Sequence, residues 1–236
     1  AARAPGAPVV YPTMSSRKDA TNHSEGPLLP EGWDGNLRGP FKLFSHKAGR
    51  VRRAVKSLRS GAQSGHLVEG TYSTQTQCHT CLEPHACVAE WKDEVLTVHL
   101  STQAVTQSAE DIAKRWRLKE SQVRVLAQHV GGGFGGKATI CPEVIAAVEL
   151  TRLTGKPVRV VLDRREELTV GGTRPANTTQ VTVATDTAGA LLGIAATAHA
   201  DGGAAVGSTS TLLMRIMYAD AAKDLQDFDV ITNGPP

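Results

Sequence analysis

The chain has 236 residues, 40% of them hydrophobic, with 26 basic against 23 acidic side chains and a formal charge of +3. That length can bury one large or two small cores, and so slight a basic excess argues against a nucleic-acid partner unless the charges cluster. Four cysteines do not make a disulfide scaffold, no apolar run approaches the roughly 20 residues a bilayer-crossing helix needs, and Ala1-Ala2-Arg3-Ala4-Pro5 lacks the apolar stretch of a secretory signal.

From Thr13 to Gly65 the chain is rich in Pro, Gly, Ser and charge and reads as linker, with a glycosylation sequon by pattern at Asn22-His23-Ser24. The basic residues cluster once, from Arg50 to Arg59, where Val51, Val55 and Leu58 fall at helical spacing. This predicts an amphipathic helix with a solvated basic face rather than a nucleic-acid patch. Next comes Cys78-His79-Thr80-Cys81, with His85 and Cys87 close behind, a candidate structural metal module. A structural zinc site usually joins two ligand pairs across a longer loop, and ferredoxin spacings are absent. These spacings weigh against ligation, and the metal module stays as an alternative. Ala86–Trp91 and Val95–Leu100 read as strands joined by a turn at Lys92-Asp93-Glu94. Ser108 and Asp111 resemble a capping box, and Ile112 pairs with Trp116 at i, i+4, so a helix is predicted over 109–117.

The most informative stretch follows. An alternating strand from Val123 to Val130 runs into Gly131-Gly132-Gly133-Phe134-Gly135-Gly136-Lys137. Glycine costs more ordering entropy than any other residue, so a cluster this dense implies a return, usually a row of bare N–H groups facing an anion or oxo group. The loop satisfies G-x-G-x-x-G, but Ala138-Thr139-Ile140-Cys141-Pro142 separates it from the next helix, whereas a dinucleotide fingerprint opens a helix at once. It also satisfies G-x-x-x-x-G-K, but Ala138 lacks the magnesium-holding hydroxyl of a P-loop. A nucleotide-binding module stays open as an alternative. Pro142 suits a first helical position, Ile145 and Val148 are expected to face inward, and Gly155-Lys156-Pro157 ends the helix. Val158–Leu162 reads as a buried strand, Arg164–Glu167 as a solvated turn, and Arg174 as a member of a structural ion pair. Thr179–Ala184 and Leu191–Ala200 make a second hairpin about Asp186–Gly189. Mixed helices and hairpins without steady β-α-β alternation predict an α+β fold.

Taken together, Ser101-Thr102-Gln103, the loop Gly131–Lys137, Leu162-Asp163-Arg164, Gly171-Gly172-Thr173-Arg174-Pro175 and Asp201-Gly202-Gly203 resemble the molybdopterin-binding large subunit of the xanthine dehydrogenase and aldehyde oxidase family. The resemblance runs from about Val68 to Pro236, with a fainter match at Ala1–Pro12. It implies that residues 1–66 hold the end of a preceding domain plus linker, and that 67–236 form the first part of the molybdopterin-binding domain of a longer protein. Such a fragment is expected to be inactive alone, and because the family's stretch that Glu69–His85 resembles is not ligated, free or buried thiols, consistent with a reducing compartment, are expected.

The implied activity is molybdenum-dependent hydroxylation of an aldehyde or N-heterocycle with water as oxygen source. Gln103 matches the glutamine aimed at the metal's oxo ligand, and an amide donates there without adding charge. Gly131, Gly132, Gly133, Phe134, Gly135 and Gly136 match the residues lying against the cofactor, and Lys137 either neutralises a nearby acid or caps the exposed loop. The metal is held through the pterin, with no directly ligating side chain. Purine-oxidising relatives tend to carry a glutamate where Ala138 stands, so a purine substrate is disfavoured. The family's base and substrate arginine lie beyond Pro236, so no general base is named; His79, His85, His99 and His129 read as ordinary strand or loop residues. The resemblance further implies a molybdenum–molybdopterin cofactor, with the cytosine dinucleotide form as an alternative. 2Fe-2S clusters and FAD are expected on partner subunits or segments outside this sequence. The expected location is cytoplasmic, or periplasmic if exported with a partner.

Overall fold

The computed structural model describes residues 33–34, 36–203 and 210–232. The sequon at Asn22, the fainter match at 1–12, much of the predicted linker and the last four residues lie outside the described residues. The strands in chain order are β1 (Trp33–Asp34), β2 (Leu37–Phe41), β3 (His66–Thr74), β4 (Gln77–Cys78), β5 (Ala86–Lys92), β6 (Val95–Leu100), β7 (Val123–Leu126), β8 (Val158–Val161), β9 (Thr173–Arg174), β10 (Asn177–Thr185), β11 (Leu191–Gly203) and β12 (Lys223–Ile231). The helices are α1 (Ala48–Arg59), α2 (Val105–Trp116), α3 (Pro142–Thr154), α4 (Arg164–Val170) and α5 (Leu212–Met217). None is long and apolar enough to cross a membrane. The chain divides into two compact units, Cys78–Arg174 forming one and the segments on either side of it forming the other.

In the flanking unit six strands lie in the order β1-β2-β12-β11-β10-β3. The β10–β11 hairpin is in register from Asn177↔Ala200 to Ala184↔Gly193, and β12 runs parallel to β11. Along β11 the alternate residues Ala196, Ala198 and Ala200 are buried, the period-2 signature of a sheet with one face covered. Helix α1 forms as predicted: Val51 is buried, Val55 and Leu58 are half-buried, and Arg52, Arg53, Lys56 and Arg59 stay exposed. β12 is less ordinary, because Lys223, Asp224, Asp227 and Asp229 are all buried. Asp229 sits 3.7 Å from the equally buried Arg38 of β2, and Asp227 accepts hydrogen bonds from the Thr211 N–H (3.0 Å) and hydroxyl (2.5 Å).

The central unit carries the loop. Its sheet runs β7-β6-β5-β8, and β5 and β6 are the predicted hairpin, with Asp93 and Glu94 at positive φ in the turn. Cys87 and Ala89 of β5 and Leu96, Val98 and Leu100 of β6 turn one face toward Ile112 of α2 and Val144, Ala147 and Val148 of α3. Trp116 on α2 ties the two helices by donating to Glu149 on α3 at 2.7 Å.

Several local expectations are corrected here. The predicted capping box at Ser108 does not form, since α2 starts at Val105 and Ser108 is buried within it, its hydroxyl 2.9 Å from that of Thr102. A well-placed side-chain partner thus outcompetes the cap. The strand predicted to reach Val130 ends at Leu126, since the last residues before the glycines have no neighbouring strand to pair with. On α3 it is Val144 with Val148, rather than Ile145, that is fully buried. β8 is a half-exposed edge strand, not a buried one. Finally, 164–170 is a helix rather than a solvated turn. The side chain of Asp163 caps the N–H of Glu166, and that of Glu166 reaches back to the N–H of Asp163, both at 2.8 Å.

Candidate functional site

A five-glycine loop has almost no side chains to bury, so its shape is set by groups that reach its backbone. At its start Glu83, just before β5, accepts from the Gly131 N–H through Oε2 at 2.6 Å and donates its own N–H to the Gly131 carbonyl at 3.4 Å. Lys137 ends the loop inward, only 1% exposed, its Nζ donating to Ser101 Oγ (2.6 Å) and the Glu83 carbonyl (2.7 Å) and lying 3.6 Å from Glu83 Oε2. Of the two roles considered for Lys137, neutralising an acid is the one observed. Partial burial pushes the Glu83 carboxyl up, but the Gly131 N–H, Ser101 and Lys137 more than offset it and hold the group below its ordinary range.

Gln103 follows β6 in the short link to α2 and reaches across the loop. Its Oε1 accepts from the N–H of Gly135 at 2.9 Å and, more weakly, from that of Lys137 at 3.4 Å, while its own N–H donates to the Lys137 carbonyl at 3.1 Å. With the amide oxygen committed to the loop, the Nε2 group has no partner among the described residues. The N–H groups of Gly132, Gly133 and Phe134 likewise have none, which leaves a short run of donors on one stretch of backbone. A Cβ at Gly133 would lie 2.9 Å from Gln103 Cδ and overlap its amide oxygen, so only glycine permits this approach. Gly135 has φ +97° and Phe134, the one non-glycine inside the loop, has φ +46° while its ring is 75% exposed. A bulky residue in that region is strained, and strain of this kind persists where surrounding structure enforces it. The Gly133–Gly136 turn is closed by the Gly136 N–H donating to the Gly133 carbonyl at 2.8 Å.

Beneath the loop lies a second layer that the sequence did not disclose. His85 lies 2.9 Å by Nδ1 from Glu167 Oε1 and 3.1 Å by Nε2 from the Gly136 carbonyl, and its backbone N–H also donates to Glu167 Oε1. Cys141 Sγ is 3.6 Å from the same carbonyl. Glu143, at the start of α3, is 2% exposed with its Oε2 unsatisfied, and burial above all, aided by Glu167, raises its pKa. Burial likewise pushes the Cys141 thiol up to about 12, with Glu143 and Glu167 adding to it, and the Cys87 thiol to about 12, with Glu143 again contributing. The only sequence signal was the pair Glu83 and His85 straddling Pro84, polar residues at the entrance of an otherwise apolar strand.

The four thiols are free, as the resemblance implied, and among the described residues no three His, Cys, Asp or Glu side chains assemble into a metal site. His85 is occupied by Glu167 and Gly136, which removes the structural metal module. The nucleotide-binding alternative fails on the same loop, because no helix opens at Ala138 and the Lys137 ammonium points inward. His79 packs its ring against Gly136 and its Nδ1 lies 3.3 Å from the Gly172 carbonyl. Arg174 is exposed and makes no ion pair among the described residues, so the ion pair expected there is not found.

Comparison with known proteins supplies the context. A family model described as the molybdopterin cofactor-binding domain matches residues 43–225. The chain is 32% identical over 127 residues to the aldehyde oxidoreductase molybdenum-binding subunit PaoC of Escherichia coli K12, covering 54% of this chain and 17% of that protein. It is 39% identical over 109 residues to the nicotinate dehydrogenase large molybdopterin subunit of Eubacterium barkeri, covering 46% of this chain and 25% of that one. Among solved structures, quinoline 2-oxidoreductase from Pseudomonas putida 86 shares the fold with a TM-score of 0.69 at 24% identity, over 86% of this chain and 26% of that chain. The chain thus spans about a sixth to a quarter of the length of these relatives.

Proposed function

The chain belongs to the molybdopterin cofactor-binding domain family of the molybdenum hydroxylases, and from that premise we propose that the loop Gly131–Gly136 with Gln103 is where it holds the cofactor. The observation that carries this reading is the Gln103 amide, whose oxygen is held by the Gly135 N–H while its Nε2 and the N–H groups of Gly132, Gly133 and Phe134 have no partner among the described residues. The donor set fits the group. It is made of neutral N–H donors suited to oxo and other anionic oxygens, the Glu83 carboxylate at the loop entrance is tied to Gly131 and Lys137, and the Phe134 ring stands exposed beside it.

When bound, the molybdenum cofactor supplies the two-electron oxidation by which a water oxygen enters an aldehyde or N-heterocycle carbon. The chain's own part is to bind and orient. Gln103 holds one hydrogen-bond donor in a fixed direction, the glycines bring bare backbone close, and the Glu83–Lys137 pair keeps the loop entrance in place, the division of labour expected of a cofactor enzyme. In this reading no side chain of the chain acts as general base. Ala138, a methyl group beside the loop, offers no hydrogen bond to a purine, so the substrate class proposed is aldehydes or other N-heterocycles. Electrons must then leave through 2Fe-2S and FAD centres on partner subunits or other segments, in the cytoplasm or after export with a partner.

The test is molybdenum and released pterin per mole of the full-length protein, for wild type and Gly135→Val. We expect near-stoichiometric cofactor in the first and little in the second, because a β-branched residue resists positive φ. Wild type without molybdenum when expressed with an intact cofactor supply overturns the reading.

A further inference from the structure

We propose that His85 is a positioning residue of the glycine loop: its ring, protonated on both nitrogens, ties the Glu167 carboxylate of α4 to the Gly136 carbonyl and so sets the turn that aims Gln103. The proposal rests on the cofactor reading above for its consequence, but not for its geometry.

The proton count follows from the partners. A peptide carbonyl only accepts, and Glu167 Oε1 is already accepting from the His85 N–H, so it is an acceptor toward the ring as well. A neutral imidazole has one donor and would point a lone pair at one of these two oxygens, at 2.9 or 3.1 Å. Only the doubly protonated ring satisfies both. The titratable groups near the ring and the loop base are Glu167 on α4, Glu143 and Cys141 at the start of α3, Lys137 of the loop, Glu83 and Cys87 at the entrance of β5, and His79, whose ring packs against Gly136. The rise of the Glu143 pKa comes first from burial, and charge on His85 works against it.

The clamp is relayed through backbone. Gly136 donates to the Gly133 carbonyl at 2.8 Å, so fixing its carbonyl fixes the whole Gly133–Gly136 turn, and with it the Gly135 N–H on which the Gln103 amide rests. Without His85, the Gly136 carbonyl keeps among the described residues only the Cys141 thiol, a weak donor at 3.6 Å.

Two substitutions in the full-length protein separate the two bonds. His85→Asn places an amide near Nδ1 and keeps a donor for Glu167 but none for Gly136, whereas His85→Gln reaches toward Nε2 and can donate to the Gly136 carbonyl. We expect His85→Asn to speed hydrogen exchange of the 131–137 segment roughly tenfold, as for the loss of one charge-assisted hydrogen bond, and to lower molybdenum occupancy and alter the Mo(V) paramagnetic spectrum. His85→Gln should stay closer to wild type on all three. Imidazole ¹⁵N shifts of wild type at neutral pH should report two protonated nitrogens. A neutral ring, unchanged exchange in His85→Asn, or equal loss in both variants overturns the clamp. If His85→Asn does not fold, the ¹⁵N measurement decides. Should wild type carry no molybdenum, the cofactor reading fails while exchange and ¹⁵N shifts still judge the clamp.

Discussion

Gly133→Ala should act almost entirely through Gln103, although it adds one methyl group to a different residue. The added Cβ would lie 2.9 Å from Gln103 Cδ and overlap the amide oxygen, so the amide must swing away and give up its bond to the Gly135 N–H. Loss of that neutral hydrogen bond costs about 0.5–1.5 kcal/mol of loop stability. The effect on rate should be larger. If the freed Nε2 is an oriented donor to the reacting centre, misaiming it costs roughly 10²–10³ in kcat, or about 2.7–4 kcal/mol. Gln103→Ala removes the same donor, so we predict a similar loss in that variant, with molybdenum content little changed in either because the remaining backbone donors persist. The double variant Gln103→Ala/Gly133→Ala should then be no slower than Gln103→Ala alone, a coupling nearly as large as the single effects. The assay is kcat per molybdenum in the full-length enzyme, closed as a double-mutant cycle. Additivity to within about 0.5 kcal/mol would refute the reasoning, as would wild-type turnover in either single variant.

Phe134→Gly should raise stability by about 1 kcal/mol by relieving the positive φ, while lowering molybdenum retention; chemical denaturation and metal analysis read the two, and a destabilised variant would count against the strain argument. Glu143→Gln tests the buried acid. A carboxyl whose folded pKa is raised favours the native state fully only below its unfolded value near 4.5, and that contribution is lost as pH rises through the folded value. The amide does not titrate, so the melting temperature of Glu143→Gln relative to wild type should climb from acid to neutral pH; a flat difference would show that Glu143 is not held neutral. In the other unit, Arg38→Ala leaves Asp229 buried without its guanidinium and should cost about 3–5 kcal/mol, with Arg38→Ala/Asp229→Asn recovering part of it in denaturant titrations.

What the sequence disclosed was whatever depends on neighbours along the chain. The β5–β6 hairpin, the proline-started α3 and the β10–β11 hairpin were legible because period and turn residues are local signals. The loop and Gln103 were singled out through motif resemblance, which names residues without their surroundings, and the structure joins the two by the Gly135 N–H bond to Gln103. What stayed hidden depends on contacts far apart in sequence. His85 and Glu167 are 82 residues apart and His85 and Gly136 are 51 apart, so no spacing rule joins them. Arg164–Glu167 looked solvated because four charges in a row usually are, yet one of the four turns inward as a partner for His85. β12 went unread for a related reason: Lys223-Asp224-Leu225-Gln226-Asp227 has the composition of a surface segment, and only its position between β11 and β2 buries it.

The polar floor under the loop follows from the glycines above it. An ordinary loop is ordered by burying its own side chains, but five glycines bury nothing, and each loses more conformational freedom than another residue would. Order must then be imposed through the loop's N–H and C=O groups, by side chains anchored elsewhere. Glu83 at the entrance of β5, Gln103 before α2 and His85, itself held by α4, each take one of these groups. A hydrogen-bonding side chain that reaches a buried carbonyl must itself be partnered, since an unsatisfied polar group in the interior costs more than a made bond returns. Hence Lys137 behind Glu83 and Glu167 behind His85. The bare backbone proposed to receive an oxygen-rich ligand is thus also what requires partnered polar side chains beneath it.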